Sequence, residues 1–457
     1  MLHPARRQIA ALLGSALLLS ACGPSDPSPS EPTSVQPSAT SVASAETGVV
    51  VPAPGSSSSV YEPNPGAIVV AIDPGHGGCL DWGVPDPLER GVGSSEKVMT
   101  LAIGLELERL LEEQGITVVM TRETDVALAG DDYPDLGCHG PPFRDVNGDG
   151  EAGFDPEGKT RMRDELQARL DLVNLARADV LTSLHINSLT QNGVVFEIAA
   201  TQTYYTDETP WGQTATQRLA QVMQDDVVAA LDPLASFERQ DRGISAVNYY
   251  IVAPPLFEVT PERPDPLKQP TRGALMPAVL SEVGSITLPA EHDLLLSPDG
   301  QAAAAQGVAN ALTAYLSDRP MAVRFDALLP GGDAGTAPLA VDGSGAPFWA
   351  PELPRTELAL GLPVRLTNTG TEQWPADLRV LAGWEQSAEP YLRQAPDALD
   401  DMGLDVPTLA PGQSVVFVIK LDVAVAERGM LWVTLGAAGA SFSDLGSPPL
   451  QLSTSGP

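Results

Sequence analysis

Two rhythms of apolar and polar residues divide this chain. The apolar run Ile68-Val69-Val70-Ala71-Ile72 is bounded by Pro-Gly pairs and reads as a buried strand. From Glu96 to Gln114, apolar residues at Val98, Leu101, Ala102, Leu105, Leu110 and Leu111 recur at helical spacing, and Gly115 supplies a stop. The same reasoning predicts strands over Ile116–Met120, Asp179–Ile186, Val194–Ala199 and Ala278–Glu282. It predicts helices over Arg161–Ala178, Ala215–Leu231 and Ala302–Leu316. Strands alternating with helices predict an α/β domain over 67–318, with a mostly parallel sheet covered by helices on both faces.

The rhythm breaks in two places inside this region, 126–160 and 254–274. Both stretches are rich in Pro, Gly and Asp and read as surface insertions. From 320 to 457 the helix signal fades. Leu362 to Thr367 alternates and is followed by the turn Asn368-Thr369-Gly370, and Val415–Ile419 and Met430–Thr434 are further short runs. This pattern predicts an all-β sandwich.

The N-terminus has a different character. Arg6 and Arg7 precede an apolar stretch, Ile9 to Leu19, too short to span a bilayer comfortably. Residues 1–22 read as a signal peptide whose ending, Leu19-Ser20-Ala21-Cys22, resembles a bacterial lipobox. That resemblance implies lipidation of Cys22 and an exported protein anchored to the membrane, facing the cell wall. Residues 23–66 are rich in Ser, Pro and Thr without periodicity, and read as a disordered tether.

Composition adds constraints. With 59 acidic against 26 basic residues the formal net charge is −33, which repels phosphates and excludes nucleic acid as a natural partner. Beyond Cys22 only Cys79 and Cys138 remain. In an oxidising compartment they are candidates for a disulfide, with two free thiols as the alternative.

The candidate chemistry sits at strand ends. His76 lies in Asp73-Pro74-Gly75-His76-Gly77-Gly78 and His185 in Ser183-Leu184-His185-Ile186-Asn187. Ligands of open parallel sheets gather beyond the carboxyl ends of the strands. Glu96 opens the helix after the first strand. Two imidazoles and a carboxylate suit a catalytic zinc with a position left for water. Glu282 ends the last predicted strand and can carry a proton to and from the reacting groups. His139 and His292 lack such context and read as surface residues.

Five motifs in order resemble the zinc-dependent N-acetylmuramoyl-L-alanine amidases of bacterial cell-wall metabolism: Asp73 to Gly78, Glu96 to Leu101, Thr121 to Asp125, Arg169 to Ser188, and Ser281 to Gly284. The resemblance covers about 67–317. It implies hydrolysis of the amide between N-acetylmuramic acid and L-alanine in peptidoglycan, serving wall remodelling or daughter-cell separation. It also implies His76, Glu96 and His185 as zinc ligands and Glu282 as the catalytic carboxylate. Arg122, Arg169 and Asn174 match family positions and read as structural. The segment Gly284-Ser285-Ile286-Thr287-Leu288 departs from the family pattern; the alternative it leaves open is a non-catalytic wall-binding or regulatory protein. An activating protein partner is not identified by any motif.

Two features stand outside this scheme. Asp145, Asn147 and Asp149, with Gly150, match the first half of an EF-hand loop and point to calcium; Pro156 occupies the twelfth position, so an ordinary acidic loop is the alternative. The segment Asn368 to Pro375, with Pro411-Gly412-Gln413, looks like Ig-like modules of bacterial surface proteins. Its tryptophans Trp374, Trp384 and Trp432 are core residues or sugar-stacking platforms.

Overall fold

A computed structural model describes residues 68–79, 81–84, 92–134, 137–146, 152, 163–191, 194–207, 213–253, 273–329, 362–384, 399–419, 429–437 and 440–455, with strand segments at 50–51, 332–333 and 352–354. The first α/β strand, β1 (Val69–Pro74), is buried throughout and leads into α1 (Glu96–Glu112) and β2 (Thr117–Met120). Then come α2 (Arg163–Leu175), β3 (Val180–Asn187), β4 (Ala199–Tyr205), α3 (Gln213–Leu231), β5 (Arg239–Ala246), β6 (Ala278–Ser285), α4 (Pro289–Leu296) and α5 (Pro298–Ser317).

The six strands form one mixed sheet in the order β5-β4-β6-β3-β1-β2. Every neighbouring pair is parallel except β6 with β4. Side chains alternate across it with period two. Val70 and Ile72, with Val180 and Leu184, join Met99 and Ile103 of α1, Leu219 and Met223 of α3, and Val308 and Leu312 of α5 in one core. Val69, Ala71 and Leu181 point the other way and join Leu170 and Val173 of α2. Helices therefore cover both faces.

Several expectations need correction. The strand placed at Val194–Ala199 lies instead at Ala199–Tyr205, and Val194–Val195 pairs with Thr190–Gln191 in a separate small hairpin. The sheet strand was hidden by Thr201, Gln202 and Thr203; Thr201 and Thr203 are fully buried because their hydroxyls donate to Val283 O and Gln224 Oε1. The edge strand β5 and the short helix α4 were not anticipated. Val50–Val51, inside the segment read as a tether, pair antiparallel with Val416 and Phe417.

C-terminal to α5, the described elements are strands. Val323–Leu329, Leu362–Asn368 and Ser414–Ile419 form one antiparallel sheet; Arg379–Trp384, Asp400–Asp405, Gly429–Ala437 and Leu450–Ser455 belong to a second. Val364, Leu366, Trp374, Val380, Leu404, Val433 and Phe442 make a core between them. Trp374 is in that core and Trp432 in the α2-side core of the α/β region, whereas Trp384 is part-buried. This β region is joined to the N-terminal side of the large sheet. Arg319 pairs with Asp179 at 2.9 Å, both buried, and Arg177 donates to Phe325 O.

Of the insertion 126–160, residues 147–151 and 153–160 lie outside the described residues, as do 135–136; of 254–274, residues 254–272 do. Cys22 and the rest of the signal peptide, and all of 23–66 except 50–51, also lie outside them.

Candidate active site

The end of β1 is where the chain turns most sharply. Gly75 N donates to Leu184 O on β3 at 2.9 Å. A Cβ added at Gly75 would stand 2.4 Å from His185 Nε2, so only glycine lets the two strands' ends meet. His76 itself has φ 64, a left-handed conformation costly for a residue with a Cβ. Buried arginines hold it there. Arg169 donates to Pro74 O and His76 O, and Arg122 donates to Pro74 O, Gly75 O and Lys97 O. Arg169 is neutralised by Asp73, which also accepts from Thr121 and Ser183; these three donors hold the Asp73 carboxyl below its ordinary range despite its burial. Asn174 ties α2 to the backbone of Gly273 and Leu275.

This framework brings His76, Glu96 and His185 together. Their ligand atoms all lie within 4.8 Å of one another. Glu96 Oε1 is 3.2 Å from His76 Nε2 and 3.0 Å from His185 Nδ1. Glu96 occupies the first position of α1, where the helix dipole favours a carboxylate, and accepts from Ile186 N and Val84 N. Burial works against its ionised form, but the two imidazoles hold its carboxyl far below the usual range. Burial likewise opposes charge on His76; the Glu96 and Asp81 carboxylates outweigh it and push the ring up to about 10.

Asp81 was not anticipated. Its Oδ1 lies 2.7 Å from His76 Nδ1. A carboxylate only accepts, so Nδ1 carries a proton toward Asp81, which leaves Nε2 as the ring nitrogen that faces Glu96 and can bind a metal once its own proton is displaced. The signal was its place five residues after His76, beside Gly83, whose φ of 74 turns the chain back against Glu96 and His76.

Glu282 is the cross-strand partner of His185 on the parallel neighbour β6 and of Gln202 on β4. Its Oε2 is enclosed and has no hydrogen-bond partner among the described residues. Burial, reinforced by the Glu96 charge, raises its carboxyl well above the ordinary range. Beside it, Tyr204 and Tyr249 meet edge to face at 5.1 Å; burial, then Tyr249 and Glu282, raise Tyr204 to about 12.

The departing segment after Glu282 is buried and tied into the fold. Ile286 is buried, its N donates to Asn187 O, and Ser285 and Thr287 bond each other. His292 corrects the expectation of a surface residue: it is wholly buried, and its Nε2 donates to Ser94 O at 2.7 Å, bracing the turn that precedes Glu96. His139 is exposed. Cys79 and Cys138 are disulfide-bonded with Cα atoms 5.8 Å apart, joining the loop after His76 to the hairpin of Asp132–Tyr133 and Cys138–His139. Asp145 is part-buried; Asn147 and Asp149 lie outside the described residues.

A family model described as N-acetylmuramoyl-L-alanine amidase matches residues 70–314, more than half of the chain. The chain belongs to the N-acetylmuramoyl-L-alanine amidase family. This amidase is 24% identical over 252 residues to the germination-specific N-acetylmuramoyl-L-alanine amidase of Bacillus subtilis, covering 55% of this chain and 81% of that one. A 63-residue stretch is 46% identical to the probable cell wall amidase LytH of Staphylococcus saprophyticus, 14% of this chain and 21% of that protein. Among solved structures, an N-acetylmuramoyl-L-alanine amidase from Clostridium difficile 630 is similar, with 25% identity, 56% of this chain and 99% of that chain covered, and a TM-score of 0.38. The amidase is thus a hydrolase of cell-wall processing that cuts the amide joining N-acetylmuramic acid to L-alanine in peptidoglycan.

Proposed function

We propose that this amidase is zinc-dependent, with His76, Glu96 and His185 as metal ligands and Glu282 as the proton carrier. One observation carries the reading: two imidazoles and a carboxylate converge at one sheet edge beside a second carboxylate, one oxygen of which has no hydrogen-bond partner among the described residues. The donor set fits the metal. Nitrogen and oxygen ligands at 2.0–2.2 Å from a tetrahedral zinc stand about 3.3 Å apart, close to the 3.0 and 3.2 Å separations of Glu96 from the two rings. Zinc bound there supplies Lewis-acid polarisation of the scissile carbonyl.

The chain's own residues do the rest. Glu282, one strand from His185, takes the proton of the attacking water and returns one to the departing amide nitrogen. Its raised affinity for a proton suits both halves of that transfer. Asp81 fixes the ring of His76, and Gly75 leaves room for the ring of His185.

The same reading places the enzyme outside the membrane, anchored through a lipidated Cys22 and lifted on the 23–66 tether, with an Ig-like β module at 320–457 that holds wall or protein. Supporting it are the lipobox-like ending at Cys22 and the two-sheet β core.

Digestion of purified sacculi, paired with metal analysis, is the test. The metal-loaded protein should release stem peptides from intact glycan strands, one zinc per chain, and Glu282→Gln should keep the zinc and lose the release. Undiminished release by Glu282→Gln, or full activity after exhaustive chelation, would overturn the assignment.

A further inference from the structure

Four adjacent strands each bring one side chain to the same level of the sheet. His185 on β3 is in register with Glu282 on β6, and Glu282 with Gln202 on β4. On the edge strand β5 the register jumps from Asp241 opposite Thr201 to Ile244 opposite Thr203. Arg242 and Gly243 therefore face Gln202 together, in a β-bulge. Bulges beside active sites re-aim a side chain.

This bulge is built into the fold. Gly243 takes φ 67 and donates its N–H to Asp241 Oδ1 at 2.8 Å. The same oxygen accepts from Gln224 Nε2 at 2.6 Å, and Gln224 is wholly buried on α3. The Arg242 side chain is held as well. Its Nε donates to Gln202 Oε1 at 3.0 Å, which also accepts from the Tyr204 hydroxyl at 3.0 Å. The Gln202 amide in turn donates to Ser245 Oγ. Gln202 is thus committed on both of its ends, and Arg242 is oriented rather than adrift.

Arg242 is exposed, and among the described residues its two terminal nitrogens have no hydrogen-bond acceptor. Among the described residues no carboxylate pairs with Arg242, in a chain with 59 acidic residues. The β5 strand lies two strand spacings, about 10 Å, from that of Glu282, and the arginine leans back over Gln202 toward it. An extended peptide advances about 3.5 Å per residue. The guanidinium is therefore within reach of a group one or two residues beyond the scissile amide, on the leaving peptide.

We propose that Arg242, oriented by Gln202 and flanked by Tyr204 and Tyr249, binds a free carboxylate on the second residue of the stem peptide. An acidic residue at that place, linked onward through its side-chain carboxyl, leaves its main-chain carboxylate free for this contact. A guanidinium with both terminal nitrogens available recognises a carboxylate in a planar, paired fashion and gains nothing comparable from a carboxamide. Arg242 is a specificity residue, and Gln202 is a positioning residue acting through it. The inference rests on Glu282 marking the catalytic edge.

The test is steady-state hydrolysis by the full-length, zinc-loaded protein of two soluble N-acetylmuramoyl peptides, identical except that the second residue carries a carboxylate in one and a carboxamide in the other. The wild type should show a KM about tenfold lower for the carboxylate peptide. Arg242→Gln should erase that preference by raising this KM, with kcat within about twofold and the carboxamide peptide unaffected. Arg242→Lys, which keeps the charge and loses the Nε bond to Gln202, should fall between. An unchanged KM ratio in Arg242→Gln, or an equal loss on both peptides, overturns the proposal. A wild type that cleaves sacculi but neither peptide overturns it too, while leaving Glu282 in place; a wild type inactive on all three removes the proposal together with the site on which it rests.

Discussion

Asp81 Oδ1 stands 2.7 Å from Nδ1 of His76, and this bond holds Nδ1 as a donor and fixes the tilt of the ring. A ligand imidazole that loses such a partner binds metal less tightly, typically by about 10- to 100-fold. Asp81→Asn should weaken zinc by that factor while the folded core is unchanged. Competition with a graded series of chelators reads it directly.

Gly75 makes a second, steric prediction. A methyl there would meet the His185 ring at 2.4 Å and Leu184 O at 2.7 Å. Neither can yield easily, since the ring is hemmed by Glu96 and the carbonyl belongs to β3. Gly75→Ala should cost about 1–3 kcal/mol of stability and empty the metal site. Full zinc content in the purified variant would contradict this.

Glu282 should trade stability for activity. An enclosed carboxylate oxygen without a partner is costly, and its raised pKa means that ionisation disfavours the fold as pH rises toward neutrality. Glu282→Gln should raise the metal-free thermal midpoint at pH 7 by about 2–4 °C for each kcal/mol regained, while hydrolysis falls by about 10²–10⁴-fold. Scanning calorimetry beside the sacculus assay tests both halves.

Asp73 gives the opposite sign. Its folded pKa lies below the ordinary 3.8, held down against burial by Arg169, Ser183 and Thr121. Its contribution is present in full above the unfolded value and is lost as pH falls through the folded one. Asp73→Asn, which removes one of the two buried carboxylates paired with Arg169 and leaves Glu165 as the other, should cost about 1–3 kcal/mol at pH 7. That difference should shrink below about pH 4. Denaturant midpoints measured at pH 7 and pH 3 give the comparison.

The Cys79–Cys138 bridge closes a long loop, with a sequence separation of 59. On the chain-entropy model it contributes about 4 kcal/mol. Because Cys79 lies between His76 and Asp81, reduction should also loosen the metal. Reductant should lower the thermal midpoint of the wild type and leave a Cys79→Ser/Cys138→Ser variant unaffected.

Much of this was legible in the sequence wherever apolar runs and glycines coincide. Ile68 to Ile72 followed by Pro74-Gly75 marks a buried strand and its exit, which places His76; the runs before His185 and Glu282 do the same. What escaped was carried by polar residues. β4 buries Thr201 and Thr203 by bonding their hydroxyls, and β5 reads Arg-Gln-Asp-Arg-Gly because it is an edge strand with a bulge. His292 has the sequence context of a surface residue, and the carbonyl of Ser94, brought close by the fold, gives its buried ring an acceptor. Asp81 depended on a left-handed turn at Gly83 that no periodicity reports.

The ion pair of Arg319 with Asp179 has a practical corollary for anyone trimming the protein. Asp179 also receives the N–H of Val69, the first residue of β1, and Trp432 from the far end of the chain lies against the same layer as Leu170 and Val173. A cut after residue 318 would strand a buried acid and bare an apolar wall beneath the catalytic sheet. The two regions should therefore melt together in a single transition, and an amidase fragment ending there should be soluble only if both wounds are repaired.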